Sequence, residues 1–265
     1  MANSTNRYTR LIENIFAKYY REGATEVSFE RTDIEAAAKE MRMKLPKNLG
    51  DVLYTFRYRA QLPESITSKA PEGFDWIIRP AGRGRYKFVL AKETIIGPSP
   101  ALAETKIPDA TPGVISAYAL SDEQALLAKI RYNRLIDIFT GLACYSLQNH
   151  LRTAVANIGQ VETDEIYVGI DKRGAHYALP IQAKSARDKI GIVQIEQDFA
   201  VCASKFPDLI CRAIAAQSMP DNLIAMFEFE QTKEGIRVVA EKHYRLVSPK
   251  ELSADELKAY RERPL

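Results

Sequence analysis

The chain has 265 residues, of which 46% are hydrophobic and 27% charged, as is typical of a soluble globular protein with one large domain or two small ones. No apolar run approaches the about 20 residues of a membrane helix, and the polar N-terminus lacks an apolar signal-peptide core. We therefore expect no membrane partner. The net charge of +3 is uneven, since residues 1–100 hold 17 Lys/Arg against 12 Asp/Glu. This basic part is consistent with a polyanion-binding module.

The three cysteines, Cys144, Cys202 and Cys211, show neither a CxxC pair nor metal-ligand spacing. We interpret them as buried thiols in a reducing compartment, and we expect a cytoplasmic protein.

The N-terminal segment predicts three helices and a hairpin. An apolar stripe at helical spacing covers residues 8–20 and ends at Gly23. After the extended segment EVSFE, Thr32 or Asp33 is placed to cap a second helix. A third helix follows Pro46, and residues 75–90 form a hairpin with glycines in its turn. Three helices followed by a hairpin resemble a winged-helix fold.

That resemblance implies DNA binding by the third helix and by the hairpin, called the wing. The candidates near the third helix are Lys47, Asn48, Tyr54 and Arg57, and those on the wing are Arg79, Arg83, Arg85 and Lys87. Cations that reach phosphates add affinity, whereas specificity needs contacts to base edges. Two alternatives stay open: a solvated hairpin rim, and a domain that docks another protein.

Residues 97–120 contain four prolines within a short stretch, which makes a helix unlikely there. We predict a linker, with a winged-helix domain at 1–96 and a second domain at 121–265.

The second domain begins with a predicted helix over 121–139, where Ser121 and Gln124 have capping-box spacing. Gly141 interrupts it, and a second helix is predicted over 142–156. A hairpin, a helix over 191–205 and three extended segments follow, and the charged tail is either a terminal helix or disordered. The pattern predicts an α/β (α+β) fold with a mixed sheet flanked by helices.

The hairpin at residues 162–184 is the segment of greatest interest. If its centre is Arg173, antiparallel pairing places Asp164 opposite Gln182 and Glu162 opposite Lys184. Alternation would put these four side chains on one face, beside apolar positions. Two acids, an amide and a lysine next to a core are costly unless a partner such as a metal ion compensates them.

This arrangement resembles the PD-(D/E)xK nuclease superfamily, in which an acid on one strand faces a (D/E)-x-K element on the next. Asp164 matches the first acid, and residues 182–184 match the second element, with Gln182 where most members have a carboxylate. The resemblance implies Mg²⁺ as the cofactor, held by Asp164, Gln182, the carbonyl of Ala183 and, as a substitute charge, Glu162. Lys184 would position the attacking water or stabilise the phosphate. The other interpretation is an ordinary hairpin with a surface salt bridge.

Together the two resemblances imply a restriction endonuclease that cuts double-stranded DNA as a homodimer. Gln194, Gln197 and Asp198 on the following helix are weaker candidates for orienting the substrate. Two other functions stay open: a DNA-binding regulator whose second domain is catalytically inactive, and a repair nuclease that recognises DNA shape.

Overall fold

The structure is a computed structural model that describes residues 2–45, 49–58, 60–92, 94–100, 102–118, 123–233 and 235–263. It divides into two compact units. Unit 1 comprises residues 1–96, 153–161 and 191–197, and unit 2 comprises residues 97–152, 162–190 and 198–265. None of the helices in the described ranges is both long and apolar enough to cross a membrane.

Unit 1 contains the helices and the hairpin that the sequence predicts, in the predicted order. Its elements are α1 (Ala2–Tyr19), β1 (Glu26–Glu30), α2 (Arg31–Glu40), α3 (Gly50–Tyr58), α4 (Glu64–Thr67), β2 (Asp75–Pro80), β3 (Arg85–Ala91) and β4 (Ile95–Ile96).

The core of unit 1 forms between α1 and an antiparallel sheet of order β1-β3-β2. The helical stripe of α1 is buried, and the ring of Phe16 packs edge-on against Trp76 and Phe88, with centroids 5.2 and 5.0 Å away. Such aromatic contacts add to the free energy of apolar burial.

The N-terminus of α2 lies slightly before the predicted cap. Glu30 is the N-cap residue, and Asp33 is the third helical residue, whose carboxylate accepts a hydrogen bond from the Glu30 amide at 2.8 Å. The prediction of Thr32 or Asp33 as the cap was therefore wrong by two or three residues. The physical reason is a reciprocal capping box, in which the acid inside the helix bonds back to the cap.

The remaining elements lie wholly or partly in unit 2. In chain order these are β5 (Glu104–Pro108), α5 (Gly113–Tyr118), α6 (Glu123–Tyr132), α7 (Leu135–Thr140), β6 (Ala143–Val155), β7 (Gly159–Ile170), β8 (His176–Lys184), β9 (Ile190–Gly191), α8 (Ile192–Lys205), β10 (Ile210–Cys211), β11 (Ala213–Ser218), β12 (Leu223–Thr232), β13 (Gly235–Val247), a 3₁₀ turn (Pro249–Glu251) and α9 (Ala254–Glu262).

A large mixed sheet of order β5-β13-β12-β11-β8-β7-β6 forms the centre of unit 2. Strands β8 and β11 are parallel, whereas β7 and β8 are antiparallel. Buried residues of α6, including Leu127 and Ile130, pack with Leu179 and Ile181 of β8 in one core. The predicted mixed sheet flanked by helices is therefore confirmed at this level of description.

The helix predicted over 142–156 is wrong, because these residues form strand β6. Gly141 ends α7 in the left-handed conformation, with φ of +70°, as a helix-terminating glycine commonly does. Strand β6 lies at an end of the sheet, and most of its side chains are exposed. The sequence consequently lacks the alternation that marks a half-buried strand, while backbone pairing with β7 supplies the hydrogen bonds.

Two further expectations need correction. The predicted helix over 121–139 is divided into α6 and α7, with Arg134 between them at φ of +50°, and Ser121 lies outside the described residues.

The segment 97–120 is not simply a linker, because β5 pairs in parallel with β13. It also contains α5, which starts directly after Pro112. A proline is tolerated at a helix start, since the first amides have no intrahelical acceptor.

Candidate functional site

The hairpin of β7 and β8 has the predicted register over residues 165–170 and 176–181. Glu165 pairs with Ile181, and Ile170 with His176, as expected for a hairpin centred on Arg173. The turn explains this register, because the Asp171 carboxylate accepts hydrogen bonds from the amides of Arg173 and Ala175 at 2.8 and 2.9 Å. The pairing is therefore fixed by the turn as well as by the buried strands.

Asp164 lies near the end of the hairpin that is remote from the turn. Its Oδ2 accepts a hydrogen bond from the main-chain amide of Ala183 at 2.9 Å. Burial raises the pKa of Asp164, and the charge of Lys184 acts in the opposite direction. The carboxylate is thus attached directly to the strand that carries the Gln-x-Lys element.

Lys184 is buried, and its Nζ lies 3.5 Å from Oε1 of Glu123, the first residue of α6. Burial raises the pKa of Glu123, while Lys184 lowers it and Asp164 raises it further. Sequence reasoning missed Glu123 as a member of the site. The only sequence feature that singles out Glu123 is its position in the first turn of a predicted helix. An acid at that position is explained equally well by its favourable interaction with the helix dipole.

Gln182 faces an acid that the sequence had suggested only weakly. Its Nε2 donates to Oδ1 and Oδ2 of Asp198 at 3.1 and 3.0 Å, and the hydroxyl of Thr163 donates to Asp198 Oδ1 at 2.6 Å. The Asp198 side chain is completely buried on α8, and burial raises its pKa to about 7. Gln182 and Asp198 therefore form one hydrogen-bonded unit.

Glu162 already has a cationic neighbour, Arg152. Its Oε1 lies 3.1 Å from Nε of Arg152 and 3.7 Å from Nδ1 of His150, both on β6. The negative charge that Glu162 was expected to contribute to a metal site is thus balanced in part by Arg152. Glu162 is also partly exposed, which weakens its electrostatic influence.

The alternation of side chains along β7 is interrupted at Asp164. Thr163 contacts Asp198 on α8, whereas Glu165, two residues later, accepts hydrogen bonds from Arg131 on α6. In a regular strand these two residues would point to the same face. The strict alternation that was expected to place the four predicted side chains on one face is therefore not kept at this end of the hairpin. Irregularities of this kind redirect side chains at the ends of strands.

The donor set at this end of the hairpin consists of oxygen atoms. No three His, Cys, Asp or Glu side chains in the described part of the chain lie close enough to hold a metal ion together. Mg²⁺ does not need such a group, since it is usually bound through one or two carboxylates, waters and substrate phosphates. The partly buried carboxylate of Asp164, the Ala183 carbonyl and the amide oxygen of Gln182 fit that chemistry better than they fit zinc, which prefers nitrogen and sulfur ligands.

The predicted DNA-contacting residues of unit 1 have different environments. Lys47 and Asn48 lie outside the described residues. Tyr54 is exposed, while Arg57 is only partly exposed. Arg79 forms a bidentate ion pair with Glu196, and Nζ of Lys87 lies 2.7 Å from Oε2 of Glu26.

Arg83 and Arg85 are exposed around the turn between β2 and β3. A third exposed arginine, Arg31, lies beside them, because its amide donates to the carbonyl of Gly84 at 2.8 Å. Within the described ranges none of these three arginines forms an ion pair. Arg31 was missed because β1 and α2, where it lies, are remote from the wing in sequence.

Comparisons with known proteins identify no relative: no family model, no curated protein and no solved structure matches this chain.

Proposed function

We propose that the chain is a Mg²⁺-dependent endonuclease that hydrolyses phosphodiester bonds in double-stranded DNA. The observation that carries this proposal is the end of the β7–β8 hairpin, where Asp164 is bonded to the Ala183 amide beside the buried Lys184. A partly buried carboxylate with a raised pKa beside a buried lysine is more typical of a reactive site than of a surface salt bridge. The proposal places this chain with the PD-(D/E)xK nucleases in its Gln-x-Lys form.

In this proposal Asp164, the Ala183 carbonyl and Gln182 hold the cation, and Glu162 acts through water. A Mg²⁺ ion held there would polarise the phosphoryl oxygen and make a nearby water more acidic. Hydrolysis would form a bond between a water oxygen and phosphorus and break one ester P–O bond, whose oxygen would leave with a proton.

Lys184 supplies a positive charge where negative charge develops on the phosphoryl oxygens. Its long side chain is held by Glu123, so that the ammonium group is oriented before substrate arrives. A preorganised charge of this kind costs little reorganisation during the reaction.

Unit 1 is proposed to be the DNA-binding part. Its helices and its β1-β3-β2 sheet support the interpretation of unit 1 as a winged helix, in which the β2–β3 turn would be the wing. Arg31, Arg83 and Arg85 would contact phosphates, because their charges are not neutralised by carboxylates. Arg79 and Lys87 are already paired and contribute less. We further propose a cytoplasmic homodimer, since cutting both strands calls for two active sites.

The DNA-binding proposal is tested by the salt dependence of binding to a duplex oligonucleotide. Each of Arg31→Ala, Arg83→Ala and Arg85→Ala should reduce the slope of log affinity against log salt by about 1. Lys87→Ala is the matched control, since its charge is paired with Glu26. Equal effects of all four variants would show that the arginine cluster has no special role.

The catalytic proposal is tested with unmodified and methylated plasmid DNA in Mg²⁺ and in EDTA. Discrete bands that require Mg²⁺ support a sequence-specific nuclease. DNA binding without any cleavage would instead indicate the regulator, and cleavage confined to branched DNA would indicate the repair nuclease.

A further inference from the structure

Asp198 is a fully buried acid next to the proposed site. Its side chain has no solvent-accessible surface, and its hydrogen-bond donors, Thr163 and Gln182, are both neutral. No cation in the described ranges forms an ion pair with it. An isolated buried carboxylate is costly, so this arrangement calls for an explanation beyond stability.

The side chain of Gln182 has two chemically different ends. An amide presents NH₂ as a donor and C=O as an acceptor, and only its partners decide which end faces which way. Both Asp198 oxygens accept from Nε2, at 3.1 and 3.0 Å. Because a carboxylate only accepts hydrogen bonds, the reversed amide would place two acceptors against each other.

We propose that Asp198 is a positioning residue that fixes the Gln182 amide with its oxygen left available to a divalent cation at Asp164. This inference rests on the proposed function, and it gives the substituted glutamine a defined part in that site. Because Nε2 donates its hydrogen bonds to Asp198, Oε1 is the amide atom that remains to bind a metal ion. An amide fixed in this way acts as an oxygen donor without adding a second negative charge.

The same geometry explains why a glutamate at position 182 does not suit this chain. Its carboxylate would face that of Asp198 in a buried space, and two like charges so close cannot both ionise easily. The combination of Gln182→Glu with Asp198→Asn reverses the hydrogen bond instead. The asparagine amide then donates to the glutamate, and the total charge of the pair is unchanged.

The test compares four proteins: the wild type, Asp198→Asn, Gln182→Glu and the double variant. Mn²⁺ binding is measured by calorimetry, and the Mg²⁺ concentration for half-maximal plasmid cleavage is measured alongside. Loss of a group that orients a metal ligand typically weakens metal affinity by about 10- to 100-fold. We expect a weakening of this size in Asp198→Asn, with the cleavage rate at saturating Mg²⁺ nearly unchanged. Asp208→Asn, at an exposed position, is the control.

The double variant separates positioning from folding. We expect Gln182→Glu to melt at a lower temperature than the wild type, and the double variant to recover both the melting temperature and the Mn²⁺ affinity. Wild-type Mn²⁺ affinity in Asp198→Asn would overturn the inference, as would a double variant that binds no better than either single variant. If the wild type binds Mn²⁺ without cleaving DNA, the proposed function fails, and the binding comparison alone decides this inference.

Discussion

Asp164 accepts a hydrogen bond from the Ala183 amide, 19 residues further along the chain, and so connects the ends of strands β7 and β8. The bond orients the carboxylate next to Lys184, which follows Ala183 and whose side chain is buried. It also occupies only one of the two carboxylate oxygens, so Oδ1 is left for a cation. The contrast with Glu162, which is paired with Arg152, leads to the first prediction.

Asp164→Asn should lower the cleavage rate by at least about 100-fold, because it removes the main anionic ligand of the cation. The fold should persist, since the asparagine carbonyl can still accept from the Ala183 amide. Glu162→Gln should change the rate by no more than about threefold, because Arg152 already balances the glutamate charge. Single-turnover cleavage of a plasmid measures both rates. A larger loss in Glu162→Gln than in Asp164→Asn would reverse the assignment of the main ligand.

Glu123→Gln should lower the cleavage rate by about an order of magnitude, because Lys184 loses the anion that orients it. Glutamine preserves the size of the side chain, so melting temperature should change little. Glu35→Gln, at an exposed position of α2, is the control. An unchanged rate in Glu123→Gln would show that the contact with Lys184 has no part in the reaction.

Arg131→Ala should destabilise the protein by about 3 kcal/mol, because it leaves a buried carboxylate without its cation. Glu165 is fully buried, and its Oε1 accepts from Nη2 of Arg131 at 2.8 Å and from the Ser146 hydroxyl. The pair formed by Arg237 and Glu230 is exposed, so Arg237→Ala should cost less than about 1 kcal/mol. Urea unfolding measures both changes. Equal midpoints for the two variants would contradict this difference.

The stability of the protein should depend on pH through Asp198. Burial raises its pKa from 3.8 to about 7. Between about pH 4 and 7 the folded state therefore holds a proton that the unfolded chain releases, so this contribution to stability falls as pH rises and is lowest above pH 7. The other titratable groups that interact with Asp198 are Asp164, Lys184 and Cys211.

The measurement is the difference in unfolding free energy between Asp198→Asn and the wild type across this pH range. As the pH rises from 4 to 7, the variant should become more stable relative to the wild type by up to about 1.4 kcal/mol per pH unit. Above pH 7 the difference in unfolding free energy should stay constant. A difference that is independent of pH would show that Asp198 titrates normally.

The sequence was sufficient to predict features that depend on local pattern. The polar turn that contains Gly174 predicted a β7–β8 hairpin centred on Arg173, and the apolar stripe predicted α1. Strand β6 was missed because its exposed side chains carry no alternation, although Gly141 marked the helix end before it.

The partners in the site were harder to predict because they come from remote segments. Glu123 lies 61 residues before Lys184, and Asp198 lies 16 residues after Gln182. Their contacts depend on how α6 and α8 pack on the sheet, which a single sequence does not specify. The irregularity at Asp164 likewise follows from tertiary contacts, since Thr163 and Glu165 bond to different helices.

The most direct test of the central claim is the Mg²⁺-dependent cleavage rate of Lys184→Ala beside that of Lys172→Ala. Both lysines belong to the β7–β8 hairpin, but Lys184 is buried at the proposed site and Lys172 is exposed in the turn. We expect Lys184→Ala to lose at least about 100-fold in rate while keeping its fold and its DNA affinity, and Lys172→Ala to cleave like the wild type. Equal cleavage by the two variants would contradict an active site at this end of the hairpin.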